Sequence, residues 1–144
     1  MIVVCPGGCI GHNPNLEDIC DGLSDNETIA DLDESDALVG FPVGLINRVT
    51  VLEVSSAPGQ ELVENLDLHD TPRFWTPAAR FYLFEYVVPS AVLPGNRLVP
   101  GLRLLTDGDC TTYPGNLVDG QLVHWEMDPW AVGLQPLPQE LRSA

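Results

Sequence analysis

The apolar residues of this chain come in short runs, and the residues between the runs decide what each becomes. Residues 49–54, Val-Thr-Val-Leu-Glu-Val, are β-branched and nearly all apolar, which predicts a strand buried on both faces. Residues 80–88 are aromatic and β-branched and predict a second, longer strand. Shorter strands are expected over 2–5, over 37–41 and at Phe74-Trp75, before the Thr76-Pro77 turn. Further strands near 102–105, 110–113 and 121–125 are set apart by Asp-Gly, Pro-Gly and Asp-Gly turns. Two stretches read as helices. Ser24 and Asp25 before Glu27 make an N-cap with an acidic first turn, predicting a helix to about Asp33. Pro58-Gly59 opens a helix that places Leu62, Val63 and Leu66 on one face. From Asp128 the chain is Pro-rich and predicts a tail that wraps the surface. This order predicts an α+β fold, with a mixed or antiparallel central sheet and flanking helices. No repeat or composition shift divides the chain, so residues 1–144 read as one domain.

Charge changes the picture more than composition does. A hydrophobic content of 44% is ordinary for a globular protein, but 21 acidic residues face 6 arginines and no lysine, for a net charge of -15. Phosphate backbones are bound through Lys and Arg, so direct nucleic-acid binding is disfavoured. The charge reads as solubility or as adaptation to a salty or acid-biased host. The other readings are a basic protein partner and mimicry of nucleic acid. No run approaches the roughly 18 apolar residues of a membrane span. The start lacks the basic flank and length of a signal peptide, so a cytoplasmic location is expected. Four cysteines are then expected to stay reduced.

Several segments, in order, match one family. Asp25-Asn26-Glu27-Thr28-Ile29, then residues 38–44 (Leu-Val-Gly-Phe-Pro-Val-Gly), then 49–54 resemble "TDPETI", "NIGIPTG" and "GLVVLDVD". These mark bifunctional DNA primase/polymerase (Prim-Pol) domains of the archaeo-eukaryotic primase superfamily. Residues 77–84 (Pro-Ala-Ala-Arg-Phe-Tyr-Leu-Phe) resemble "GGGRHLYF", and 100–108 resemble "PGLDVRGDGG". Residues 114–125 resemble "APPSIHPSGRRYEW", and Pro136-Leu137-Pro138 resembles "APLP". The likeness spans nearly the whole chain, although no single piece is specific.

The resemblance implies a nucleotidyl-transfer site built around two divalent ions that clamp the attacking and leaving oxygens. Magnesium takes hard oxygen ligands, mostly carboxylates. The family supplies an Asp-x-Asp pair, a third Asp on a neighbouring strand, and a His between them that helps hold the triphosphate. Carried onto this chain, the pair becomes Glu53 and Ser55, the His becomes Phe81, the third Asp becomes Arg103, and a loop lysine becomes Cys9. One carboxylate of three survives, and a guanidinium stands where a metal ligand belongs. A degenerate, catalytically inactive member linked to DNA replication is therefore expected, with no cofactor and with a protein partner, basic or a replication protein. Glu53 and Arg103 are expected to form an ion pair, with Phe81 packed over the emptied site; the other possibility is that both reach solvent. An active magnesium- or manganese-dependent transferase with a relocated metal site, using Glu53, Glu85 and Asp107, is the first alternative. An unrelated acidic α+β binding domain is the second.

Other residues carry weaker signals. Cys5, Cys9, His12 and Cys20 follow a C-x3-C-x2-H-x7-C spacing that suits tetrahedral zinc, free thiols or a disulfide. Asp107 and Asp109 read as a turn between strands rather than a cation site. Asp31, Asp33, Glu34 and Asp36 form an acidic run, by default a solvated face, otherwise a docking surface for a basic partner. His69 and His124 lack a Ser or Cys partner at motif spacing. Trp75, Trp125 and Trp130 read as packing residues, since the surrounding charge makes them poor base-stacking platforms.

Overall fold

The computed structural model describes residues 5–6, 39–115, 117–118 and 120–143. The expected helix near 27–33 and the acidic run at Asp31, Asp33, Glu34 and Asp36 lie outside them. The described strands are β1 (Cys5–Pro6), β2 (Val39–Pro42), β3 (Val49–Val54), β4 (Arg73–Trp75), β5 (Arg80–Glu85), β6 (Leu102–Leu105), β7 (Cys110–Thr112), β8 (Leu117–Val118), β9 (Gln121–Leu122) and β10 (His124–Met127). Among the described residues, two short α-helices, α1 (Ala57–Glu64) and α2 (Pro129–Val132), join them.

The β-branched run 49–54 does become the buried strand its composition predicts, because it has a neighbour on each side. β3 lies between β5 and β6 in a five-stranded antiparallel sheet of order β10-β4-β5-β3-β6. Alternation along β3 sends Val49 and Val51 to one face and Leu52 and Val54 to the other, each into its own hydrophobic cluster. The first cluster adds Phe41, Val43, Phe74, Phe81, Leu83 and Leu105 beneath the small sheet of order β1-β2-β7. The second lies against α1, whose Val63 is buried. Burying each such side chain contributes roughly 1.5–3 kcal/mol. Thr50, fully buried among them, is satisfied because its Oγ1 accepts from Val87 N at 2.9 Å. The fold is thus α+β, with an antiparallel rather than mixed central sheet.

α1 begins where β3 ends. Ser56, in extended conformation, accepts from Gly59 N at 3.0 Å, and Pro58 occupies the first turn, where no backbone N–H is missed.

The Pro-rich tail differs from expectation. Rather than only wrapping the surface, it buries Leu137 and Leu141 in the second cluster. The reason is an open ladder. β4 pairs only with residues 80–82 of β5, and beyond it Glu85 N donates to Gln135 O at 2.8 Å. The tail takes up hydrogen-bonding capacity that the short β4 leaves free.

Candidate functional site

The antiparallel register brings three of the four expected positions into one row. Glu53 stands directly opposite Phe81 on β5 and Arg103 on β6. Phe81 in turn faces Phe74, and Phe74 faces Trp125. Directly paired residues share a sheet face, so Trp125, Phe74, Phe81, Glu53 and Arg103 form one continuous line, with neighbouring Cβ atoms roughly 4.5–5.5 Å apart. Ser55 lies past the end of β3. Its N–H donates to Gly101 O at 2.7 Å and its Oγ to the same oxygen at 3.3 Å, so it fastens the β3–α1 joint to the turn before β6.

The expected Glu53–Arg103 ion pair is not formed. Among the described residues the carboxylate–arginine contacts are Arg73 Nε to Glu126 Oε2 at 2.7 Å and Arg80 Nη2 to Glu126 Oε1 at 4.0 Å. β6 is an edge strand, and Arg103 is exposed while Glu53 is half-buried. A hydrated guanidinium gains only about 0–1 kcal/mol from a surface pair, so nothing forces it onto Glu53. Phe81 does pack, but sideways, stacked on Phe74 with centroids 4.8 Å apart.

Magnesium does not fit this row. Glu53 is its one carboxylate, and its neighbours across the ladders are a ring and a cation. The carboxylates of the relocated site do not gather either. Glu85 pairs with Val49 at the far end of the β3–β5 ladder, four residues and roughly 13 Å along the strand from Phe81. Asp107 is occupied elsewhere: Oδ1 accepts from Leu45 N at 2.7 Å and Oδ2 from the Tyr86 hydroxyl at 2.6 Å. Asp109 Oδ2 accepts from Thr106 N at 2.9 Å, so both aspartates serve the turn. Among the described residues, no three His, Cys, Asp or Glu side chains are grouped to hold a metal ion.

The Asp107 hydrogen bond, then desolvation and the carboxylate's negative charge, raise the Tyr86 pKa above its ordinary 10.0. A phenol that holds its proton more tightly when folded adds stability that is fully present below 10.0 and is lost as pH rises through the folded value. Tyr86→Phe is therefore expected to lower the urea midpoint near neutral pH, and the gap from the unsubstituted protein should shrink above about pH 10. Urea titrations at both pH values check it.

The zinc set lies outside the described residues, apart from the backbone of Cys5. Cys110 corrects the expectation of reduced thiols, because it is disulfide-bonded. The chain's other cysteines are Cys5, Cys9 and Cys20, so the bond removes one thiolate from the proposed zinc set. Spacing along the chain carried no sign of this pairing, which depends on a tertiary contact across most of the sequence.

His124 is an edge residue, with Nδ1 3.2 Å from Leu122 O and its ring edge-on to Trp75 at 5.1 Å. Trp125 packs edge-on to Phe74 at 5.4 Å and to Trp130 at 5.9 Å, while Trp130 itself is largely exposed.

Sequence reasoning missed the α1 face of the sheet. Two adjoining cavities of about 490 and 300 Å³ open there, and both are lined by Gln60, Glu64 and Arg80. Arg73 lines the smaller one but is committed to the fold. Besides Glu126, its Nη1 donates to the carbonyls of Leu68, His69 and Thr71 at 3.2–3.3 Å. A single arginine beside an aromatic strand makes no motif, and the only available hint was the scarcity of cations in so acidic a chain.

No helix among the described residues is long and apolar enough to cross a membrane. No protein-family model matches the chain, and no curated protein matches it.

Proposed function

We propose that this chain is a primase-polymerase-like domain that transfers no nucleotide and acts by binding a protein partner in DNA replication. The observation that carries the proposal is the Phe81–Glu53–Arg103 row. It supports the placement of three positions drawn from the resemblance, with a guanidinium where two-metal chemistry needs a carboxylate and a ring where the resemblance implies the His that helps hold the triphosphate. A cation approaching Glu53 meets a fixed positive charge on the adjacent strand. The net charge of -15 favours a basic protein partner over a nucleic acid. A cytoplasmic site of action fits replication, but the disulfide at Cys110 no longer supports it, because such bonds persist in oxidising compartments.

The test is incorporation of labelled nucleotides on a primed template with magnesium or manganese. No incorporation is expected, and none from the triple variant Ser55→Asp, Phe81→His, Arg103→Asp. Metal-dependent incorporation that disappears in Glu53→Gln overturns the proposal in favour of an active transferase.

A further inference from the structure

We propose that the groove between α1 and the sheet binds a small zwitterion of the amino-acid type, its carboxylate on Arg80 and its ammonium on Glu64. The groove lies on the face opposite the Glu53 row, so this assignment does not rest on the proposed loss of nucleotidyl transfer. Arg80 pairs with Val54 on one side and Trp75 on the other, which places all three on the α1 face. Its side chain is 40% exposed, and its one carboxylate contact among the described residues, Glu126 Oε1 at 4.0 Å, is too long for a hydrogen bond. Glu126 already gives its other oxygen to Arg73 at 2.7 Å. Arg80 therefore keeps its planar fork of donors free, the arrangement that grips a carboxylate by two parallel hydrogen bonds.

What sets Arg80 apart from the other arginines without a side-chain hydrogen bond among the described residues is its place, because it lines both cavities. Arg48, Arg97 and Arg103 are exposed, and Arg142 donates Nε to Leu137 O at 2.9 Å. Glu64 and Gln60 line the same two cavities from α1. A lone anion at Arg80 would meet Glu64 nearby and a net charge of -15 overall. A zwitterion satisfies both side chains and carries no net charge to be repelled. The 490 Å³ cavity is in the size range of small-molecule sites, and Trp75 gives it an apolar wall for a ligand side chain.

Isothermal titration of the full chain with free amino acids, each beside its N-acetylated and its C-amidated form, tests the assignment. At least one free amino acid is expected to bind saturably, with both blocked forms roughly tenfold or more weaker. Arg80→Gln and Glu64→Gln should each weaken binding by a similar factor, and Arg97→Gln, which removes the same charge from an exposed turn, should not. Absence of binding by every free amino acid overturns the proposal. So does an acetylated form that binds as well as its parent, or an Arg97→Gln effect equal to that of Arg80→Gln.

Discussion

Phe74→Ala is expected to lower the unfolding free energy by about 3–5 kcal/mol, the largest loss foreseen for a single side chain here. Phe74 is fully buried on β4, stacked on Phe81 at 4.8 Å and edge-on to Trp125 at 5.4 Å. Truncation removes the transfer energy of the ring and leaves a void between two large neighbours held by their own strands. The two ring contacts add coupling beyond area, about 0.5–1.5 kcal/mol per pair, which a double-mutant cycle of Phe74→Ala with Phe81→Ala reads directly. Guanidinium unfolding curves check the main effect; a loss under about 1 kcal/mol would mean that β4 does not close the core. The same packing bears on the candidate site. Phe81→His, which restores the residue the resemblance implies, places a polar ring against Phe74 in a buried position. That reversion should destabilise the domain without improving the site.

The parts of the fold legible in sequence were those whose signal is local. The run 49–54 is mostly β-branched and apolar, so β3 was foreseen with its bounds. Leu62 and Val63 marked α1, although its cap is Ser56 and the helix ends at Glu64, before Leu66. β8, of two residues, is too short for any periodicity to register, while the strand expected over 121–125 divides into β9 and β10. Leu137 and Leu141 were missed because Pro-rich segments show no helical or strand period, and their burial depends on the ladder that β4 leaves open. The site divides in the same way. Resemblance placed Glu53, Phe81 and Arg103 in neighbouring strands, and the register puts them side by side. What their side chains do was not legible. Whether Arg103 turns to Glu53 or to water depends on β6 being an edge, and whether Cys110 bonds depends on a contact across most of the chain. The unspent donors of Arg80 became visible only when Glu126 was seen to be shared with Arg73.

Gly101→Ala is the second substitution with a large expected effect, because two separate penalties fall on one atom. Gly101 has φ +82°, where a side chain is strained, and a Cβ there would lie 2.3 Å from Ser56 Cβ. The left-handed conformation costs about 1–2 kcal/mol for an ordinary residue. Forcing a methyl group into an occupied space adds about 1–3 kcal/mol. The neighbour has no easy way to yield. Ser56 Oγ donates to Pro100 O at 2.7 Å and caps α1, and Gly101 O accepts from Ser55 N at 2.7 Å. A total loss of roughly 2–5 kcal/mol is expected in urea unfolding, together with a weakened α1 cap. Two other glycines separate the contributions. Gly120 has φ +78° with nothing within 4 Å of an added Cβ, so Gly120→Ala should show the conformational strain alone. Gly95 has open space and no such φ, so Gly95→Ala should be close to neutral. If Gly101→Ala costs no more than Gly120→Ala, the joint between β3, α1 and β6 is looser than its hydrogen bonds imply, and Ser55 is not held where the row of Glu53 ends.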